Sequence, residues 1–161
     1  MEGHTNGVLC LFFSSGGHLV SGSYDGTVRK WSLETGQPLW VREVGGGWVS
    51  SVAELPDRRV FAGCDDGTVR VLDGNTGAEI MVCRGHTFLV RSVISLGDHP
   101  QAGVSFASGS WNRNFRVWAS DGGLVRVVGV REGAVSLSLS LAHWSSVEMF
   151  TPEQRLFIFL S

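Results

Sequence analysis

His4, Ser21 and Asp25 supply a ring nitrogen, a hydroxyl and a carboxylate, the three groups of a nucleophilic hydrolase triad. The same types in the same order recur as His86, Ser108 and Asn112, with an amide in place of the acid. One sequence mark of a catalytic serine is the nucleophile elbow, Gly-x-Ser-x-Gly, a sharp strand-to-helix turn that lifts its oxygen out of the sheet. Ser21 lies instead in "LVSGS", an extended small-residue run. These residues therefore read as structural. No other chemistry takes their place. Glycines 45 to 47 of "VGGGW" lack the lysine and the strand–helix setting of a phosphate loop. Cys10, Cys64 and Cys83 are odd in number and lack metal spacing, which makes them small buried apolar groups of a reduced interior. Neither a paired-carboxylate site nor a metal-ligand cluster is visible, so no catalytic residue, metal or cofactor is expected.

What must position these residues is a repeat. "LVSGSYDGTVRKWSLETG" at 19 to 36 returns as "VFAGCDDGTVRVLDGNTG" at 60 to 77 and as "FASGSWNRNFRVWASDGG" at 106 to 123. Asp25 to Asp66 is 41 residues, Asp66 to Asn112 is 46, and His4 to His86 is 82, twice 41. The five added residues fall in "GDHPQAGVS", read as a lengthened loop. A period of about 40–45 residues with four short strands per unit indicates propeller blades. Apolar runs alternating at period two, as in Thr27 to Trp31, are strands with both faces in use. Asp25-Gly26 and Asp66-Gly67 read as two-residue hairpin turns, with Asn112-Arg113 a poorer version because arginine disfavours φ > 0. One helix start is visible, "TPEQRLF", with Thr151 as cap and Pro152 in the first turn.

Composition narrows the class further. Charged residues are 17% of 161, below the ~25% of an average globular protein, and 22 glycines agree with many tight turns. A net charge of −2, one lysine and twelve scattered arginines exclude a general nucleic-acid surface. The start "MEGHTNG" is no signal peptide and no apolar run reaches the ~18 residues of a membrane span, so an intracellular setting, cytoplasmic or nuclear, is expected.

Over roughly residues 2 to 130 these repeats resemble the WD-repeat family of β-propellers. Gly3-His4 and Gly85-His86 match the family's opening, and "LVSGSYDGTVRKW" and "FASGSWNRNFRVW" match its middle. The closing Trp-Asp is never intact: it reads Trp31-Ser32, Leu72-Asp73 and Trp118-Ala119, and the second copy has Gly45 for His and Ala62 for Ser. The resemblance implies a buried hydrogen-bonded chain within a blade. In copy one its members are His4, Ser21, Asp25 and Trp31; in copy three, His86, Ser108, Asn112 and Trp118.

The expected fold is all-β, a partial β-propeller of about three four-stranded antiparallel blades over residues 1–130, with an incomplete fourth blade or divergent tail over 131–161. Inner strands start near Val8, Val49 and Val90, and outer strands run near Leu39, Ile80 and Leu124. For the fourth unit Glu132 takes the His place, or alternatively His143 does. "EGAVSLSLSL" gives an inner strand, "PEQRLF" a second strand by its likeness to "PDRRVF", and a third strand is missing. Three blades and a stub fall short of the four to eight of a closed ring. The chain is thus expected to be a fragment, a truncated variant, or a protomer that closes its ring by self-association.

The function implied by the resemblance is a protein-interaction scaffold or adaptor, binding other proteins through the loop face around the central channel, with no direct nucleic acid and no membrane. The positions that match this face are Tyr24, Asp65 and Trp111 before the turn, and Gly7, Trp48, Leu89 and Arg91 at the inner strands. Trp, Tyr and Arg dominate interface energies. Trp48 and Trp111 equally suit packing against a neighbouring loop. Two alternatives remain. "LETGQPLW" and "LDGNTGAEI" are also similar to the repeats of quinone-cofactor propeller dehydrogenases, although the carboxylate-bound metal and secretory signal of those enzymes are not seen. A truncated product without independent function is the other.

Overall fold

The computed structural model describes residues 2–14, 16–99, 104–129, 136–139, 146–150 and 155–159. They form fifteen strands in four antiparallel sheets, each ordered as in the chain. The first sheet is β1 (Val8–Phe13), β2 (His18–Ser23), β3 (Thr27–Ser32) and β4 (Pro38–Glu43). The second is β5 (Val49–Glu54), β6 (Val60–Cys64), β7 (Val69–Leu72) and β8 (Glu79–Cys83). The third is β9 (Val90–His99), β10 (Val104–Ser110), β11 (Asn114–Trp118) and β12 (Leu124–Gly129). The fourth has three strands, β13 (Ser136–Leu139), β14 (Ser146–Phe150) and β15 (Arg155–Phe159). First strands pack side by side, β1 on β5, β5 on β9 and β9 on β13, so the sheets follow one another as blades of an open, partial propeller.

The core lies between sheets. Val20, Val28 and Trp40 of the first sheet meet Val49, Val52, Val60, Ala62 and Leu72 of the second. The reverse face of the second puts Phe61, Val69 and Val71 against Val90, Val93, Phe106 and Trp118 of the third, with Phe61 stacked on Phe106 at 4.1 Å between ring centroids. Alternation therefore buries every residue of β6, the odd ones on one neighbour and the even ones on the other. The small-residue strand has a steric cause. A methyl group at Gly22 would stand 2.5 Å from Val49 Cγ1, and one at Gly63 2.8 Å from Val90 Cγ1, because the next blade's inner strand passes there.

Four local expectations are corrected. The Asp-Gly hairpins are three-residue loops, such as Tyr24-Asp25-Gly26, closed by Gly26 N–H to Ser23 O and with only the third residue left-handed. A type I turn followed by a left-handed residue joins strands in this way. "GDHPQAGVS" is largely strand, since β9 runs to His99 and β10 starts at Val104; pairing continues up the lengthened hairpin. The proposed helix is excluded at Arg155–Phe159, where β15 pairs antiparallel with β14; Thr151 and Pro152 lie outside the described residues. That segment is also the third strand of its sheet, not the second, which is Ser146–Phe150. Glu132 and His143 lie outside the described residues.

The third-copy turn carries a measurable cost. Gly26 and Gly67 take φ of 76° and 80°, whereas Arg113 is held at 63° in the same place. A side chain costs about 1–2 kcal/mol in this conformation, part of which glycine returns through backbone entropy. Arg113→Gly should stabilise the fold by about 0.5–1 kcal/mol, read as a higher urea midpoint at unchanged slope.

Candidate functional site

In the first blade the structure brings the four chain residues together. The entry segment places His4 over the sheet, β2 presents Ser21, the β2–β3 loop presents Asp25 and β3 presents Trp31. Asp25 Oδ2 lies 2.8 Å from His4 Nδ1, His4 Nε2 lies 2.7 Å from Ser21 Oγ, and Trp31 Nε1 donates to Ser21 Oγ at 2.8 Å. A carboxylate only accepts and an indole only donates, so Nδ1–H of His4 donates to Asp25 and Trp31 donates to Ser21 Oγ, while the second ring nitrogen of His4 shares the remaining bond with that hydroxyl. Asp25 also accepts from the amides of Thr5 and Thr27 and from the Thr27 hydroxyl. Burial alone would raise its pKa, but these bonds, led by the Thr27 hydroxyl and His4, hold it well below the usual carboxylate range.

This connectivity is that of a Ser-His-Asp triad, yet its oxygen is out of reach. Ser21 is 2% exposed, and its Oγ already serves the ring of His4 and the indole of Trp31. No substrate carbonyl can approach it, and the network acts as a strut between entry segment, strand and turn.

The third blade holds a neutral variant. Trp118 Nε1 donates to Ser108 Oγ at 2.8 Å, and His86 Nε2 lies 2.8 Å from the same oxygen. His86 Nδ1 reaches Asn112 Oδ1 only at 3.4 Å. Burial, helped by the charge of Arg116, pushes the His86 pKa down to about 4 against the bonds that support its charged form. In the second blade Asp66 binds the amide and hydroxyl of Thr68 and lies 3.5 Å from Arg70, but has no histidine to complete a chain.

The loop-face candidates fall into pairs made by one recurring bond. The amides of Tyr24, Asp65 and Trp111 donate to the carbonyls of Gly7, Trp48 and Leu89. Each β-turn is thereby fastened to the start of its blade's inner strand, and three turns stand on one face of the arc. Tyr24 is exposed and meets half-buried Trp48 edge to face at 5.4 Å between centroids, which ties the first two blades together. Trp111 is 53% exposed, Arg91 is exposed, and Asp65 and Leu89 are half-buried. Sequence reasoning missed Phe88, which is 62% exposed beside this group; the signal was an aromatic residue where the other copies have Asn6 and Gly47.

It also missed a buried ion pair. Lys30 Nζ lies 3.6 Å from Glu54 Oε1 and donates to Gly74 O at 2.8 Å, joining the first two sheets. Its signal was a lysine at the repeat position that Val71 and Val117 occupy. The three cysteines are free, and burial pushes the thiols of Cys10 and Cys64 up to about 12 and that of Cys83 to about 11. Among the described residues no group of three or more His, Cys, Asp and Glu could hold a metal ion, and no helix is long and apolar enough to cross a membrane.

Three successive four-stranded blades, the first and third with a His–Ser–Trp chain inside them, define a propeller protein of the repeat type. The sequence matches the family "WD domain, G-beta repeat" at residues 1–32, 36–73 and 77–119, and the chain belongs to this family. It is 28% identical over 175 aligned positions to a guanine nucleotide-binding protein subunit beta of Oryza sativa subsp. japonica, covering 75% of this chain and 46% of that protein. It is 30% identical over 155 positions to the nuclear distribution protein PAC1 of Coccidioides posadasii (strain C735), covering 80% and 33%. The chain thus spans less than half the length of these relatives. Among solved structures, the computationally designed Ika4 protein superposes with a TM-score of 0.78 at 24% identity, covering all of this chain and 96% of that one.

Proposed function

We propose that this chain is a protein-interaction adaptor whose docking surface is the loop face bearing Tyr24, Asp65, Phe88, Leu89, Arg91 and Trp111. The observation that carries this reading is the recurring turn-to-strand bond, which holds large side chains exposed on a backbone that cannot relax to bury them. Pre-ordered aromatic anchors lose little entropy on binding, and this is what makes such residues interface hot spots. The relatives support it, since one is by name a subunit of a guanine nucleotide-binding protein.

The test is site-specific photo-crosslinking in cells of origin, with the reactive group at position 88 or at position 126 on outer strand β12. Defined protein adducts should form from 88 and not from 126. They should fall by at least about tenfold with Trp111→Ala, consistent with loss of an anchor worth ~1.4 kcal/mol or more, while the melting temperature stays within about 2 °C. Adducts that form equally from both positions, or that survive Trp111→Ala, reject the loop face. Trp48 is a poorer probe because its ring packs on Tyr24.

A further inference from the structure

The third repeat copy reverses the charge of its loop side. Glu2, Glu43 and Arg84 hold one place in the repeat, and Leu9, Ser50 and Arg91 another. Gly26, Gly67 and Arg113 hold a third, and Asp25, Asp66 and Asn112 a fourth. These places carry two negative charges in the first copy, two in the second and three positive charges in the third. In the third copy all four lie toward the loop face. Arg84 follows β8, Arg91 is the second residue of β9, and Asn112 and Arg113 belong to the β10–β11 turn, which the Trp111 amide fastens to Leu89 O. Arg84, Arg91 and Arg113 are exposed, whereas the arginines that form ion pairs among the described residues are Arg29, Arg59 and Arg70. One of the three charges is held at a cost, since Arg113 takes a φ of 63° where the other copies use glycine. Phe88, 62% exposed, lies between Arg84 and Arg91 in the chain. Gly67 stands against the carbonyls of His86 and Phe88, so the second blade's turn borders the patch; there Asp66 is engaged by Thr68 and Arg70.

We propose that this part of the loop face receives an extended, acidic peptide segment of a partner protein, its carboxylates on the three arginines and an apolar side chain on Phe88. The inference rests on the loop-face reading and adds the chemistry of what docks there. Three cations on one blade of a chain with net charge −2 select an anionic occupant, because opposite charges across an interface speed encounter and like charges are costly. The exposed ring selects a peptide over a bare anion, since an aromatic anchor contributes by burying apolar surface. Length follows from the chain. The steps from Arg84 to Arg91 span at most about 25 Å, which an extended peptide of about eight residues covers.

Random peptides of about twelve residues, displayed on phage and selected on the native chain, test this. The ratio of Asp and Glu to Lys and Arg should rise at least about threefold over the unselected library, beside a bulky apolar residue. The strongest sequence, made as a synthetic peptide, should lose at least about tenfold in affinity as salt rises from about 50 to 500 mM. Giving the three positions the residues of the second repeat copy, Arg84→Glu, Arg91→Ser and Arg113→Gly together, should weaken it at least about tenfold without lowering the melting temperature. Phe88→Ala should weaken it by a similar factor with every arginine in place. No selected peptide, no acidic enrichment, or a peptide indifferent to the triple variant or to Phe88→Ala overturns the proposal. So does a single-stranded oligodeoxynucleotide of about twelve nucleotides that binds more tightly than the peptide, which makes the patch a phosphate-backbone site. The two readings fail separately. Adducts from position 88 that vanish with Trp111→Ala but persist in the triple variant leave the loop face standing and sink only its acidic partner.

Discussion

Replacing Lys30 by methionine should cost about 3–5 kcal/mol of folding stability, although methionine matches the aliphatic stem and the position is apolar in the other copies. Lys30 and Glu54 side chains are 4% and 2% exposed. The ammonium also donates to Gly74 O, which receives the Trp40 indole as well, and Ser14 Oγ donates to Glu54 at 2.9 Å. Removing the cation leaves a carboxylate in a medium that solvates it poorly. The pair itself is worth far less than its breakage, because two charges had to be desolvated to form it. Lys30→Met combined with Glu54→Leu should therefore recover most of the loss, to within about 1–2 kcal/mol of the native chain. Urea denaturation of the native chain, both single variants and the double variant closes the cycle. If the double variant loses the sum of the single losses, the two charges are not coupled.

Asp25→Ala should cost about 2–4 kcal/mol, and Asp66→Ala only about 1 kcal/mol, though both are the turn aspartate of their repeat. Asp25 is 5% exposed and its removal strands His4, two amides and a hydroxyl; Asp66 is 37% exposed and water can take its place. The contrast extends to pH. Folding lowers the Asp25 pKa, so the unfolded chain takes up the proton first: its contribution is full above the ordinary carboxylate value of about 4 and is lost as pH falls below it. His86 is depressed from 6.5 to about 4, so its stabilising neutrality is complete above 6.5 and is lost as pH falls through that window. Asp25→Ala should flatten the stability profile below pH 4 and leave the 6.5-to-4 slope in place. Equal losses for the two alanine variants, or an unchanged acid limb, contradict this account.

The sequence by itself determined the repeat, and with it the blades. Val8, Val49 and Val90 do start the inner strands, because the 41-residue period carries the register of one copy over to the next. The resemblance to a repeat family also named the members of the chain from His4 to Trp31, because Gly-His, the strand serine, the turn aspartate and the tryptophan of its motif can be matched residue by residue. Other features depend on packing between blades and leave no such trace. Lys30 reads as an odd residue until β5 and the Gly74 loop close over it. Phe88 looks like a core aromatic until the turn bond to Leu89 lifts it into solvent. The tail around Arg155–Phe159 follows a local helix start, but its short apolar run pairs with Ser146–Phe150, and pairing partners decide a strand where propensity cannot. Tertiary structure alone decided what covers the inner strands: Val52 and Val93 hold the same place in successive copies, and each is buried, at 6% and 4% exposed, because the preceding blade packs on it.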